Sequence, residues 1–148
     1  MKYTDRHPDK KYLSSFDLIG EENIQALITG FRMEVIERSG SDTPKPVLEL
    51  FGLKPIVLNL TNDKMLVRLL RTNDSNKWIG KVIIVGVDPV KAFGEETFGL
   101  RIRRRLGTPE GYLRESASKE ELKSRYRALN DSSLLELTKQ IAQEKWKK

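Results

Sequence analysis

The stretch Ile56-Val-Leu-Asn-Leu-Thr-Asn-Asp-Lys-Met-Leu-Val-Arg-Leu-Leu-Arg71 decides the architecture, because the hydrophobic period changes inside it. Ile56-Val57-Leu58 reads as a short strand, and Pro55 before it is tolerable only at a strand start or edge. Asn59 or Thr61 then offers an N-cap. Met65, Leu66, Leu69 and Leu70 follow at helical spacing, giving one apolar stripe and a helix to about Arg71. Thr72-Asn-Asp-Ser-Asn76 closes it. A helix therefore sits between strands, and the question is how many strands flank it.

Upstream, Ile24, Ala26 and Ile28 alternate with polar neighbours, and Phe31, Met33 and Val35 alternate again beyond Gly30. Period two over Ile24 to Arg38 predicts one long strand, with a bulge or bend at the glycine. Ser39–Pro44 is a loop, and Pro46–Phe51 is a second strand. Tyr12, Leu13, Phe16, Leu18 and Ile19 form an apolar cluster that can lie against a sheet. Downstream, Lys81–Val87 is a near-continuous apolar run, a fourth strand stopped by Pro89, with Val90–Glu96 as a turn. The fifth strand, Thr97–Leu106, alternates: Phe98, Leu100, Ile102 and Leu106 share one face, and Arg101, Arg103 and Arg105 share the other with Thr97 and Gly99. Gly107-Thr-Pro-Glu-Gly111 reads as a boundary. Beyond it Ser118 with Glu121, and Ser133 with Glu136, resemble capping boxes that start two helices.

A helix between the third and fourth of five strands, with a bent first strand, predicts a mainly β fold with α. The expected form is an OB-like five-stranded antiparallel Greek-key barrel with a C-terminal helical hairpin or arm. The rival is an open antiparallel sheet crossed by one helix. Three segments are expected: a flexible arm over 1–11, the barrel over 12–106 and a helical extension over 107–148.

Composition narrows the function. The 148 residues carry 27 Lys+Arg against 21 Asp+Glu, net +6, and the excess lies beyond residue 58. Acidic partners are favoured. With no cysteine and one histidine, a thiolate metal site, a cysteine nucleophile and a polyhistidine zinc site are excluded, and no metal or cofactor is expected. No apolar run is long enough to span a membrane, and the N-terminus lacks a signal-peptide pattern, so the expected location is the cytoplasm.

The runs Lys45–Phe51, Lys54–Asn62, Trp78-Ile-Gly-Lys81 and Leu100–Arg103, with Tyr12-Leu13 and Asp17-Leu18, resemble a family of small, functionally uncharacterised bacteriophage and prophage proteins. Members end one strand with Leu-Asn-x-Thr-Asn and start the next with Trp-x-Gly-Lys. The similarity spans roughly residues 12–103. It implies a barrel of the OB type, a phage origin, a host-cell cytoplasmic setting and a role on DNA during infection. It supplies no catalytic residues.

The strongest candidate site is Arg101, Arg103 and Arg105. Alternate residues of a strand lie about 7 Å apart on one face, close to the phosphate spacing of an extended single strand. The plain alternative is a charged face that blunts an edge strand. Lys81, Lys91 and Phe93 join the candidate interface for single-stranded DNA. Phe93 lies in the loop between the last two strands and serves either as a staple or as a stacking platform. Trp78 reads as a core plug, and Asn59 and Asn62 read as helix caps. Carboxylates such as Asp88, Glu95 and Glu96 form no nuclease constellation, so no enzymatic activity is expected. Leu122, Tyr126, Leu134, Leu137, Ile141 and Trp146 are the candidate partner-binding residues. They serve the alternative function, an assembly module that binds itself or a phage or host protein. That reading gains if these side chains find no partner within the chain.

Overall fold

The computed structural model describes residues 11–18, 23–36, 42–92 and 94–146. Five strands form one antiparallel open sheet: β1 (Asn23–Val35), β2 (Pro44–Leu50), β3 (Ile56–Val57), β4 (Val82–Ala92) and β5 (Glu95–Leu106). Their order is β3-β2-β1-β4-β5. Four helices accompany them: α1 (Leu60–Leu70) between β3 and β4, then α2 (Pro109–Arg114), α3 (Lys119–Leu129) and α4 (Leu135–Trp146).

β1 occupies the centre because it is shared. Asn23 to Leu27 pair with β4, and Ile28 to Val35 pair with β2. The register slips between Ile28 and Gly30, so the bend falls at the expected glycine. A Cβ on Gly30 would lie 2.7 Å from Glu49 Oε1, which leaves little room for a larger residue there. The main core lies between the sheet and α1. Ile28, Leu48, Ile56, Leu66, Trp78, Ile83, Val85 and Ile102 meet there, and Leu13 and Leu18 close it from the N-terminal segment. Trp78 is the predicted core plug. It is 2% exposed, donates from Nε1 to the Thr72 carbonyl at 3.0 Å and meets Phe31 edge-on.

β4 runs on through Pro89 to Ala92, where the sequence predicts a stop. The Lys81 carbonyl accepts from Ile28, so odd-numbered positions along β4 face β1. Pro89 lies beyond Asn23, the first residue of β1, and faces an edge with no described strand to pair with. Its missing N–H therefore costs no ladder bond. The β4–β5 hairpin projects past the core for the same reason. Phe98, expected to share a face with Leu100 and Ile102, pairs with Pro89 in this extension and is 53% exposed. Leu106, at the other end of β5, is also exposed rather than in the core.

The segment Gly107–Gly111 is not a loose boundary. Thr108 Oγ1 caps α2 by accepting from the Gly111 amide at 2.9 Å, and Pro109 sits in the first turn, where its lack of an N–H is harmless. Gln25 of β1 packs against both glycines: a Cβ on Gly107 would meet it at 2.6 Å and one on Gly111 at 2.1 Å. The Gln25 side chain accepts from the Thr108 amide, and the Gln25 amide donates to Glu115. Leu27, Val82 and Tyr112 are buried together at this joint, with Phe51, Ala128 and Leu129 packed against them. The expected hairpin or arm is thus a three-helix lobe seated on the sheet.

The lobe has its own small core of Leu113, Leu122 and Ile141, flanked by Tyr126, Leu134, Leu137 and Trp146. All six candidate partner-binding residues are therefore engaged within the chain. Leu122 and Ile141 are 1% and 0% exposed and cannot reach a partner from the folded lobe. Ser118 caps α3 as predicted, accepting from the Glu121 amide. Ser133 does not cap α4. Asp131 instead caps the short 3-10 turn Ser132–Leu134, and α4 starts after it. No helix among the described residues is long and apolar enough to cross a membrane.

Candidate nucleic-acid interface

Two side chains finish the edges of the sheet. Asn59 caps α1 by accepting from the Asn62 amide at 2.8 Å. Asn62 itself does more than cap. Its side chain is turned to β5, donating to the Leu100 carbonyl at 3.0 Å and accepting from the Ile102 amide at 3.0 Å. One primary amide thus satisfies the donor and acceptor that a sixth strand would take. On β1, the Glu115 carboxylate accepts from Gln25 at 2.8 Å, along the stretch that β2 does not reach.

The three arginines of β5 do not form an even row. Val85 faces Ile102 and Ile83 faces Leu106, so four steps along β5 match two along β4. This bulge begins after Ile102 and ends the alternation on which the row depended. Arg103 is also committed to the fold. Its guanidinium lies over Gly86, donates from Nε to Asn23 Oδ1 at 2.8 Å and pairs with Asp88 at 2.6 Å. It ties β5 to β1 and β4 together, and its charge is already paired with Asp88. Arg101 is half-buried and donates to the Leu100 carbonyl beside it. Arg104 and Arg105 are exposed, and no described carboxylate pairs with either.

Other cations are spent in the same way. Arg125 stacks 4.4 Å from the Tyr112 ring centroid, donates to the Tyr112 carbonyl and pairs with Glu121. Burial pushes the Tyr112 phenol up, and Arg125 opposes that only in part. Lys145 donates to the carbonyls of Arg114 and Ser116 at the end of α2. Arg114 pairs with Glu110 and Glu144, and its pairing with Glu144, then Gln140, holds the Glu144 carboxyl below its usual range.

Sorting the cations by what they already hold leaves a different cluster from the predicted one. The pairing of Ile83 with Leu106 places the start of β4 beside the end of β5, so Lys81 stands at the same end of the sheet as Arg104 and Arg105. The bond from Trp78 to Thr72 ties the end of α1 to this place. It brings Arg68 and Arg71 of α1, and Lys77 of the 3-10 turn Ser75–Trp78, to the same end. All six are exposed. Arg71 closes α1 with φ of 57°, a left-handed conformation usually given to glycine or asparagine. Lys91 stands at the opposite end of β4, away from Lys81. Phe93 lies outside the described residues. The exposed ring of Phe98 lies on the opposite face of β5 from Arg101.

Arg68, Arg71, Lys77 and Arg104 are the residues the sequence reading missed. Lys64, Arg68 and Arg71 recur at helical spacing on α1, a basic stripe opposite the apolar one, and this pattern is the signal that could have found the first two. A second surface feature does not suit a phosphate backbone. The groove of about 580 Å³ along β3 is apolar, between Pro46, Val57 and Leu60, and Lys45 and Asp63 there carry opposite charges. Among the described residues, no group of three or more His, Cys, Asp or Glu is placed to hold a metal ion.

No protein-family model, curated protein or solved structure matches the chain.

Proposed function

We propose that this is a non-catalytic, OB-like protein that binds single-stranded nucleic acid, in the phage setting that the motif resemblance implies. The strand order with a shared, bent β1, and a helix placed after β3 and latched to β5, supports the OB-like reading. In this reading α1 fills the gap between β3 and β5.

The observation that carries the proposal is the cluster of Arg68, Arg71, Lys77, Lys81, Arg104 and Arg105, exposed and without acidic partners among the described residues. Unpaired cations are the ones that can exchange counterions for phosphates. Arg103 supports the interface only by holding β5 in place. Phe98 stands at the far end of β5, near Lys91, and takes no part in this interface.

The test is fluorescence anisotropy with labelled oligo-dT of about 30 nucleotides, a length that exceeds the site size of one OB fold. A matched duplex is the comparison. The wild type binds the single strand more tightly than the duplex. The Arg71→Ala/Arg104→Ala/Arg105→Ala variant, folded by circular dichroism, binds more weakly, and its log K against log salt slope falls by about 2, at ~0.7 for each single-strand phosphate that is no longer neutralised. A wild type that fails to bind at low salt overturns the proposal. So does a triple variant with unchanged affinity and slope.

A further inference from the structure

The helical lobe carries a second basic surface, remote in sequence from the cluster described above and different in chemistry. Between α3 and α4 runs a groove of about 300 Å³. Its apolar lining is Leu135, Ala142 and the half-buried Tyr126, over the buried Leu122. Leu135 is 41% exposed, which leaves apolar area open to water. Its rim is cationic. Lys119, Lys123 and Arg127 stand one helical turn apart along α3, all exposed and without a described carboxylate partner. Lys139 faces them from α4, paired only loosely with the fully solvated Glu136 at 3.8 Å. No acidic side chain lines the groove.

The geometry points to a docking site for a short acidic peptide segment of another protein, one that carries apolar anchor residues. Charge complementarity selects the acidic partner: four cations surround the opening, and only Lys139 has a described carboxylate near it, the exposed Glu136 at 3.8 Å. The apolar floor selects the anchors, since apolar area beneath a charged rim is the pattern of a groove that takes an amphipathic segment. A second copy of this chain fits poorly. A two-fold contact through this face would set the basic rim of α3 against itself. A nucleic acid fits less well than a peptide, because the groove offers a single ring, Tyr126, and that ring is itself half-buried against the core of the lobe. A membrane surface fits less well because the apolar groups line a concavity.

The probe is a fluorescein-labelled peptide of about 12 residues, acidic throughout, with leucines at helical spacing as anchors. A second peptide has serine in place of each leucine. Both are titrated into the full-length protein by anisotropy, and amide resonances of α3 and α4 are followed in parallel. The leucine peptide binds, and the serine peptide binds at least ~10-fold more weakly, the loss expected for one buried anchor. Lys123→Glu/Arg127→Glu and Leu135→Glu each reduce binding of the leucine peptide by a similar factor. All three positions are exposed, and an unchanged thermal melt confirms that the fold is kept. The Arg71→Ala/Arg104→Ala/Arg105→Ala variant binds the peptide as the wild type does, which separates this site from the nucleic-acid interface.

Four results overturn the inference. One is no binding and no resonance shift up to ~1 mM peptide, the weakest affinity worth the name. Another is equal binding of the two peptides, which makes the rim a general anion surface. The third is displacement of the leucine peptide by oligo-dT in both the wild type and the Arg71→Ala/Arg104→Ala/Arg105→Ala variant. The fourth is depletion of the protein by anionic vesicles that the peptide cannot reverse.

Discussion

Asn62→Ala is expected to destabilise the protein far more than the loss of a helix cap does. Asn62 is 2% exposed, and its side chain holds both the Leu100 carbonyl and the Ile102 amide of β5. Alanine removes both bonds and leaves the two backbone groups without partners at a place water does not easily reach. Two net hydrogen bonds at about 1 kcal/mol each, plus the cost of an unsatisfied buried amide, give a loss of ~3 kcal/mol. The neighbouring Asn59→Ala loses only the cap bond to the Asn62 amide, a cost of ~1 kcal/mol. Urea denaturation of the three proteins measures the difference, and amide exchange at Ile102 locates it. Asn62→Asp sharpens the test. Its carboxylate still accepts from Ile102 but turns a second anionic oxygen toward the Leu100 carbonyl. Burial and that carbonyl raise its pKa above the unfolded value. The aspartate variant is therefore most stable at low pH and loses stability as pH rises through the raised pKa. An Asn62→Ala variant within ~0.5 kcal/mol of the wild type, the range of neutral surface changes, would refute the reasoning. So would the same loss for Asn59→Ala.

Two further predictions concern single residues. Arg71→Gly relieves the left-handed conformation at φ of 57° and is expected to leave stability unchanged or raise it by up to ~1 kcal/mol, while weakening binding of oligo-dT; a fall in stability argues against strain at this position, and unchanged affinity argues against a binding role. The Tyr12 hydroxyl, and then Lys11, hold the Glu34 carboxyl below its ordinary value of 4.5. A carboxyl lowered in the folded state contributes its stability fully above 4.5 and loses it as pH falls through the lowered value. An NMR titration of Glu34 should therefore move back toward 4.5 in Tyr12→Phe, and an unchanged titration would show that the hydroxyl is not the cause.

Much of the fold was legible because it depends on neighbours in the chain. The period change at Asn59, the bulge at Gly30 and the burial of Trp78 rest on patterns within a few residues. The candidate site was less legible, because whether a cation is available depends on distant residues. Arg101, Arg103 and Arg105 look equivalent in the sequence. In the structure Asn23, which lies 80 positions away, and Asp88 take the middle one, and a register slip against β4 separates the others. Gly107–Gly111 carries turn signals that fit either a linker or a helix start. What decides between them is Gln25, packed against both glycines from β1.

From the chain alone one reads the order of elements from β1 to β5, the capped helix after β3, the basic excess beyond residue 58 and the absence of cysteine chemistry. These follow from local periodicity, capping and composition, which need no partner to be read. The tertiary structure alone decided which arginines remain free, where Phe98 ends up, and that the helical lobe packs on β1 and keeps its apolar residues for itself. Each of these is a competition between distant groups for the same donor, acceptor or apolar surface, and only the folded chain brings the competitors together.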